Sequence, residues 1–135
     1  MNKQLKKIIQ QSSFEVIEGD FIYTKTAAYP QGEDHFMVSK DKDEITVVTK
    51  AENAGKLNLI EKNTEVYALI ALHVSVPFYS VGFLAAVSTA IADRGINILI
   101  ISTYSKDYVL VKRAELDNAK TALKESGLQE TFGRE

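Results

Sequence analysis

The apolar and polar positions of the chain are most regular between residues 66 and 113. Nearly every position from 66 to 76 is apolar, which is typical of a strand covered on both faces. Apolar side chains then recur at helical spacing over residues 81–94. Two further apolar stretches, 96–104 and 107–111, predict strands joined by a tight hairpin. This region is therefore predicted to fold as strand, helix, strand, strand.

Residues that commonly end strands and helices stand at the boundaries of these elements. Pro77 is expected to end the first strand because it has no N–H to donate. Ser80 is the expected N-cap of the following helix, and Gly95 is its expected stop. A second helix is predicted over residues 115–126, with acidic residues in its first turn and Gly127 as its stop. The order β-α-β-β-α is the ferredoxin-like split βαβ pattern of an α+β fold.

The first 64 residues have shorter apolar runs and predict mostly strands. Residues 2–11 predict an amphipathic helix whose lysines form a solvated face. Residues 14–17 and 21–25 predict two short strands around Gly19, and residues 35–49 predict a hairpin over a polar turn. The loop between these strands and the hairpin is too short for a crossover helix. The N-terminal unit is therefore predicted to be truncated or rearranged.

An internal echo indicates how the chain is organised. The segment EITVVTKAENA, residues 44–54, aligns at a constant offset with DYVLVKRAELD, residues 107–117. The simplest interpretation is two related units in tandem, residues 1–64 and residues 65–135, although a shared strand-to-helix composition would also produce such a match. Units of about 60 residues are marginal alone. The halves are therefore expected to pack together, with an N-terminal strand completing the C-terminal sheet.

Composition and charge argue against several classes of function. The net charge of −2 favours neither nucleic acid nor an anionic membrane, and the absence of cysteine excludes disulfides and thiolate chemistry. No apolar run of signal-peptide length follows the N-terminus, so a cytoplasmic location is expected. His35 and His73 stand in no metal or catalytic motif, and no phosphate-binding glycine loop is present. The sequence thus predicts a noncatalytic protein without a metal or cofactor.

The segment SVGFLAAVSTAIADRGINILIISTYSKDYVLV, residues 80–111, resembles the ACT domain, a small regulatory module of aspartate kinases and other amino-acid enzymes. The resemblance is greatest to the tandem ACT units of the CASTOR arginine sensors and of small bacterial ACT-domain proteins. It covers residues 66–123 well and the N-terminal half more loosely. It implies a ferredoxin-like (ACT) fold of the βαββαβ type, in two tandem units with antiparallel sheets. It also implies a noncatalytic homodimer.

The resemblance further implies an amino acid held between two ACT units, with an effect on a regulated protein partner. The ligand would contact the turn before the first helix and the start of the following strand. A helix start suits a carboxylate, and Asn97 is able both to donate and to accept. Phe78 and Tyr79 would either form a lid or pack on a core or partner. The implied ligand-binding residues are Ser80, Val81, Gly82, Phe83, Asn97, Ile98, Thr103 and Tyr104.

Each of these residues also has a purely structural explanation. Gly82 either admits a ligand to the backbone or only lets the helix lie close to the sheet. Ser80 is explained by capping and Asn97 by turn geometry. Thr103 and Tyr104 equally suit a partner surface, so a scaffold dimer that has lost its ligand is the second candidate function. The arginine sensors use acids from another ACT unit, and the sequence identifies no such acid here, so arginine is only one candidate ligand.

Overall fold

A computed structural model of the protein describes residues 3–76 and 80–133. The predictions made for Pro77, Phe78 and Tyr79 lie outside these residues. The described part forms three α-helices and eight β-strands, together with two 3₁₀ helices at Ala51–Lys56 and Arg113–Glu115. In chain order these elements are α1 (Lys3–Gln10), β1 (Ser13–Thr26), β2 (Met37–Lys40), β3 (Ile45–Lys50), β4 (Leu59–Lys62), β5 (Tyr67–His73), α2 (Phe83–Ala92), β6 (Leu99–Ser102), β7 (Asp107–Lys112), α3 (Leu116–Ser126) and β8 (Gln129–Thr131).

The chain divides into two compact units. Unit 1 contains the residues up to Glu18 together with those from Ala68 onward, and unit 2 is Gly19–Tyr67. The division falls within β1, which contributes residues to both units. The predicted break of this segment into two short strands is wrong. The strand continues through Gly19, whose φ of 114° a glycine adopts without steric strain.

The sheet of unit 1 follows the order β1-β5-β7-β6, and β8 pairs in parallel with residues 13–15 of β1. From β5 to β8 the chain runs β-α-β-β-α-β, so the predicted ferredoxin-like α+β arrangement is confirmed. β5 is buried from Tyr67 to Leu72, as expected of a strand covered on both faces. The N-terminal strand that was expected to complete this sheet is β1, which lies beside β5.

The core of unit 1 lies where the three helices pack on the sheet. The alternate residues Ala68, Ile70 and Leu72 of β5 contribute to it, which is the two-residue period of a strand. Ile9 and Phe14, from the N-terminal segment, belong to the same cluster. Each fully buried aliphatic side chain contributes about 1.5–3 kcal/mol. The N-terminal segment is therefore a structural part of unit 1.

Unit 2 is an antiparallel sheet of order β2-β3-β1-β4. The turn between β2 and β3 is held by Asp41 Oδ1, which accepts the N–H groups of Asp43 and Glu44 at 2.8 and 3.0 Å. Within its residues, all of which are described, unit 2 contains no α-helix, in agreement with the short loop after β1. The two segments of the internal echo have matching structures, because β3 and β7 each run into a 3₁₀ helix.

Candidate functional site

A cavity of about 520 Å³ lies in unit 1. Its walls come from the chain just after β5, the turn before α2, the first residues of α2 and the β6–β7 hairpin. The volume falls within the range of small-molecule sites, about 300–1,000 Å³. The described residues that line it are Val74, Ser80, Val81, Gly82, Phe83, Leu84, Ala85, Ser102, Thr103, Tyr104, Ser105, Lys106 and Asp107.

The start of α2 differs from the sequence prediction. Ser80 is not the N-cap, because α2 begins at Phe83 and Gly82 occupies the capping position without a side-chain hydrogen bond. The Phe83 N–H donates to the Ser80 carbonyl at 3.1 Å in a turn. Gly82 has a φ of 87°, which favours glycine. A Cβ at this position would also lie 3.3 Å from Leu5 Cδ2 of α1. Both the backbone conformation and the close approach of α1 therefore account for a glycine here.

The first turn of α2 gives the cavity a partial positive charge. Residues 82–85 line the cavity. The Phe83 N–H is taken by the Ser80 carbonyl, but the next N–H groups of the first turn have no acceptor within the helix. The aligned peptide dipoles add to this effect and favour an anion near the helix start. Lys106, which also lines the cavity, supplies a full positive charge. This part of the cavity is therefore suited to a carboxylate.

The β6–β7 hairpin contributes a carboxylate beside that lysine. The strand register sets Ser102 opposite Asp107, and Ser102 Oγ donates to Asp107 Oδ1 at 2.5 Å. The Thr103 N–H and hydroxyl both donate to the Lys106 carbonyl, at 2.8 and 3.2 Å. These bonds order the loop, so that Lys106 and Asp107 stand next to each other on the cavity wall. The cavity thus contains one charge of each sign on a defined turn.

Sequence reasoning did not identify Asp107 as a site residue and assigned Lys106 only to the turn. A signal for both was available in the hairpin. Once Thr103 is taken to line a cleft, a tight turn brings residues 106 and 107 to the same end of the two strands. The prediction used the contacts implied by the family resemblance instead, and those contacts did not extend to β7.

The apolar lining residues divide into buried and exposed groups. Phe83 is 2% exposed and belongs to the core of unit 1, and Leu84 packs partly against that core. Val81 and Tyr104, in contrast, are 92% and 89% exposed. Both residues line the cavity, so part of its apolar wall is exposed to solvent. The apolar surface at the edge of the cavity is therefore accessible to another molecule.

Asn97 and Ile98 do not line this cavity. They follow the C-terminal end of α2, whereas Ser80 precedes its N-terminal end, and a helix of 10 residues is about 15 Å long. Asn97 is exposed, and Ile98 packs partly against the core. The expected convergence of residues 80–83 with residues 97 and 98 is therefore not found. The predicted residues that the cavity brings together are Ser80, Val81, Gly82, Phe83, Thr103 and Tyr104.

The two histidines have structural surroundings. His73 Nε2 lies 3.2 Å from Glu15 Oε1 in unit 1. His35 Nδ1 lies 3.0 Å from Thr49 Oγ1 in unit 2, and its Nε2 is buried without a hydrogen-bond partner among the described residues. Across residues 3–76 and 80–133, no cluster of three or more histidine or carboxylate side chains has the arrangement of a metal site.

Unit 2 has a smaller depression of about 270 Å³ on its sheet. Lys25 and Glu44, which are 4.0 Å apart, lie in it with Glu61 and Tyr23. Burial, and secondarily the nearby Tyr67, raises the pKa of Tyr23 above its ordinary value. The register pairs Lys25 with Glu61, so this surface has the cross-strand charge pairing of a solvated sheet face.

Comparison with known proteins gives the following likenesses. Residues 63–125 match the sequence profile of the ACT domain. No curated protein matches the chain. A protein of unknown function from Vibrio cholerae, described as a possible transport protein, is 26% identical with a TM-score of 0.79, and the match covers 93% of this chain and 97% of that one. In the part of this chain that the structure describes, no helix combines the length and apolarity needed to cross a membrane.

Two more distant structures share the fold. A protein from Agrobacterium tumefaciens is 16% identical with a TM-score of 0.73, and the match covers 92% of this chain and 95% of that one. The ligand-free regulatory subunit of aspartate kinase from Thermus thermophilus is 13% identical with a TM-score of 0.60, and the match covers 84% and 97% of the two chains.

Proposed function

We propose that this protein, in which residues 63–125 match the sequence profile of the ACT domain, is a noncatalytic sensor of a free amino acid. The ligand binds in the 520 Å³ cavity of unit 1. Its binding changes the interaction of the protein with a regulated partner in the cytoplasm. The family profile and the likeness to aspartate kinase regulatory subunits support the regulatory role.

The observation that carries this proposal is the adjacent pair of opposite charges on the cavity wall, Lys106 and Asp107. An α-amino acid has its carboxylate and its ammonium group on the same carbon, so a cavity wall with one group of each charge is complementary to it. Lys106 and the start of α2 receive the carboxylate. Asp107 accepts hydrogen bonds from the ammonium group, while Ser102 keeps the Asp107 carboxylate in position.

The exposed apolar residues at the cavity suggest a dimer. Val81 and Tyr104 stand almost fully exposed beside the site, and a second copy that covers them would also close the bound ligand off from water. The same exposure favours the scaffold function, in which a dimer forms through this surface without any ligand. A thermal-shift screen separates the two functions.

The screen measures the melting temperature with each of the twenty amino acids. Bound ligand stabilises the folded state by about 2.7 kcal/mol at a hundredfold excess over Kd. We expect a clear increase with at least one amino acid, and we expect Asp107→Asn to remove most of it. Asp43→Asn, which changes an exposed aspartate in the β2–β3 turn, is the matched control and should retain the increase. A folded protein that responds to none of the twenty, and that light scattering shows to be a dimer, would be a scaffold.

A further inference from the structure

The cavity has little charge beyond the pair that holds the ligand backbone. Among its described lining residues, Lys106 is the only cation and Asp107 is the only anion. The remaining side chains are hydroxyl-bearing or apolar. The large apolar ones are Val74, Val81, Phe83, Leu84 and Tyr104.

This distribution of charge selects among amino-acid side chains. A ligand that uses Asp107 for its ammonium group leaves no second carboxylate among the described lining residues for a lysine or arginine side chain. A charged side chain that lies against the apolar wall loses water there and gains no partner in its place, which is unfavourable. An acidic side chain meets the same difficulty, because Lys106 is already opposite the ligand carboxylate. An aliphatic side chain, in contrast, gains about fourfold in affinity for each methylene that it buries.

We infer that the ligand is an aliphatic α-amino acid of the leucine, isoleucine or valine class. This inference rests on the proposed function, since it assumes that an amino acid occupies the cavity. It replaces arginine, which the family resemblance had raised as a candidate. Val81 and Leu84 contact the ligand side chain and set its class, whereas Lys106 and Asp107 bind the groups that all amino acids share.

Calorimetric titration of the full chain with leucine, alanine and arginine tests the inference. We expect leucine to bind at least about tenfold more tightly than alanine, and arginine to bind at least about tenfold more weakly than leucine. Val81→Asp adds a carboxylate at an exposed position and should lower the leucine-to-arginine affinity ratio by roughly tenfold. Ile60→Asp makes the same change at a 59% exposed residue of β4 in unit 2 and should leave the ratio unchanged.

The outcomes separate the inference from the proposal on which it rests. Wild-type protein that binds arginine as tightly as leucine overturns the aliphatic class and leaves an amino-acid sensor. Protein that binds none of the three, and that shows no response in the full screen, overturns both. A measurable ratio that Val81→Asp fails to lower overturns the role of Val81. The class of ligand is decided by the leucine-to-arginine affinity ratio of the wild-type protein alone. That class therefore stands even if Val81→Asp loses all binding.

Discussion

Replacement of Gly82 with alanine tests whether the backbone directly before α2, which lines the cavity, requires a glycine. Gly82 has a φ of 87° directly before α2. A residue with a Cβ is disfavoured in this left-handed region by about 1–2 kcal/mol. The added methyl group would lie 3.3 Å from Leu5 Cδ2, the end of a side chain that is able to shift. Alanine also restricts the unfolded chain, and this effect favours the folded state by roughly 0.4–1 kcal/mol. We expect Gly82→Ala to lower the free energy of unfolding by about 1 kcal/mol.

Two other glycines separate the contributions to this effect. Gly95 has a φ of 77°, and, its immediate chain neighbours apart, no described residue has an atom within 4 Å of the position that an added methyl group would take. Gly95→Ala therefore reports the backbone contribution alone. Gly55 lies in the 3₁₀ helix Ala51–Lys56, with neither a left-handed φ nor a close neighbour among the described residues. Gly55→Ala should therefore be neutral or stabilising by up to about 1 kcal/mol.

Urea unfolding followed by circular dichroism measures all three variants. The midpoint and slope of each transition give the free energy of unfolding in water. The expected order of destabilisation places Gly82→Ala first, Gly95→Ala close behind it and Gly55→Ala last. If Gly82→Ala and Gly55→Ala unfold at the same urea concentration, the strain assigned to the start of α2 is absent and the reasoning is refuted.

Two further changes concern polar groups of unit 1. Burial alone would raise the pKa of Glu130, but hydrogen bonds from Lys120 and Lys124, both at 3.1 Å, hold that pKa below its ordinary value of 4.5. The resulting stabilisation is present above pH 4.5 and is lost as the pH falls through the lowered pKa. Glu130→Gln should therefore lower the free energy of unfolding by about 1–2 kcal/mol at pH 7, and this difference from wild type should disappear in acid. Urea unfolding across pH measures it, and a difference that stays constant with pH would contradict this. Ser12→Ala should lower the free energy of unfolding by about 1–3 kcal/mol in the same assay, because the buried Ser12 Oγ accepts the Ser75 N–H at 2.9 Å. Ser12→Thr keeps the hydroxyl and should lower it less. Equal losses in the two variants would argue against this hydrogen bond.

Apolar periodicity was sufficient to predict the main elements of unit 1, because spacing and burial follow the same period there. The strand predicted over residues 66–76 is Tyr67–His73, and the helix predicted over residues 81–94 is Phe83–Ala92. Their ends were less predictable, since they depend on the conformation of a few turn residues. The continuity of β1 was not predictable locally, because glycine and aspartate also form turns and the pairing of β1 with distant strands is not visible in the local sequence.

The site was predictable where its residues are close in sequence. Residues 80–83 adjoin a helix start, and the helix signal locates them. The association of Asn97 with them failed because it came from family contacts and took no account of the length of α2. Asp107 was missed because the prediction followed family contacts, although the tight turn after Thr103 places residue 107 at the same end of the hairpin. The aliphatic character of the wall likewise required coordinates, since Val74 and Leu84 come from different elements.

Unit 1 is assembled from the two ends of the chain, with Gly19–Tyr67 between them. During synthesis α1 and the first residues of β1 leave the ribosome long before β5 and α3 exist. Ile9 and Phe14, both enclosed in the finished core, must therefore remain without their native neighbours while unit 2 is translated. The segment that forms unit 2 is contiguous, so its strands meet first. Unit 1 becomes complete only when β8, which pairs with the start of β1, has been synthesised.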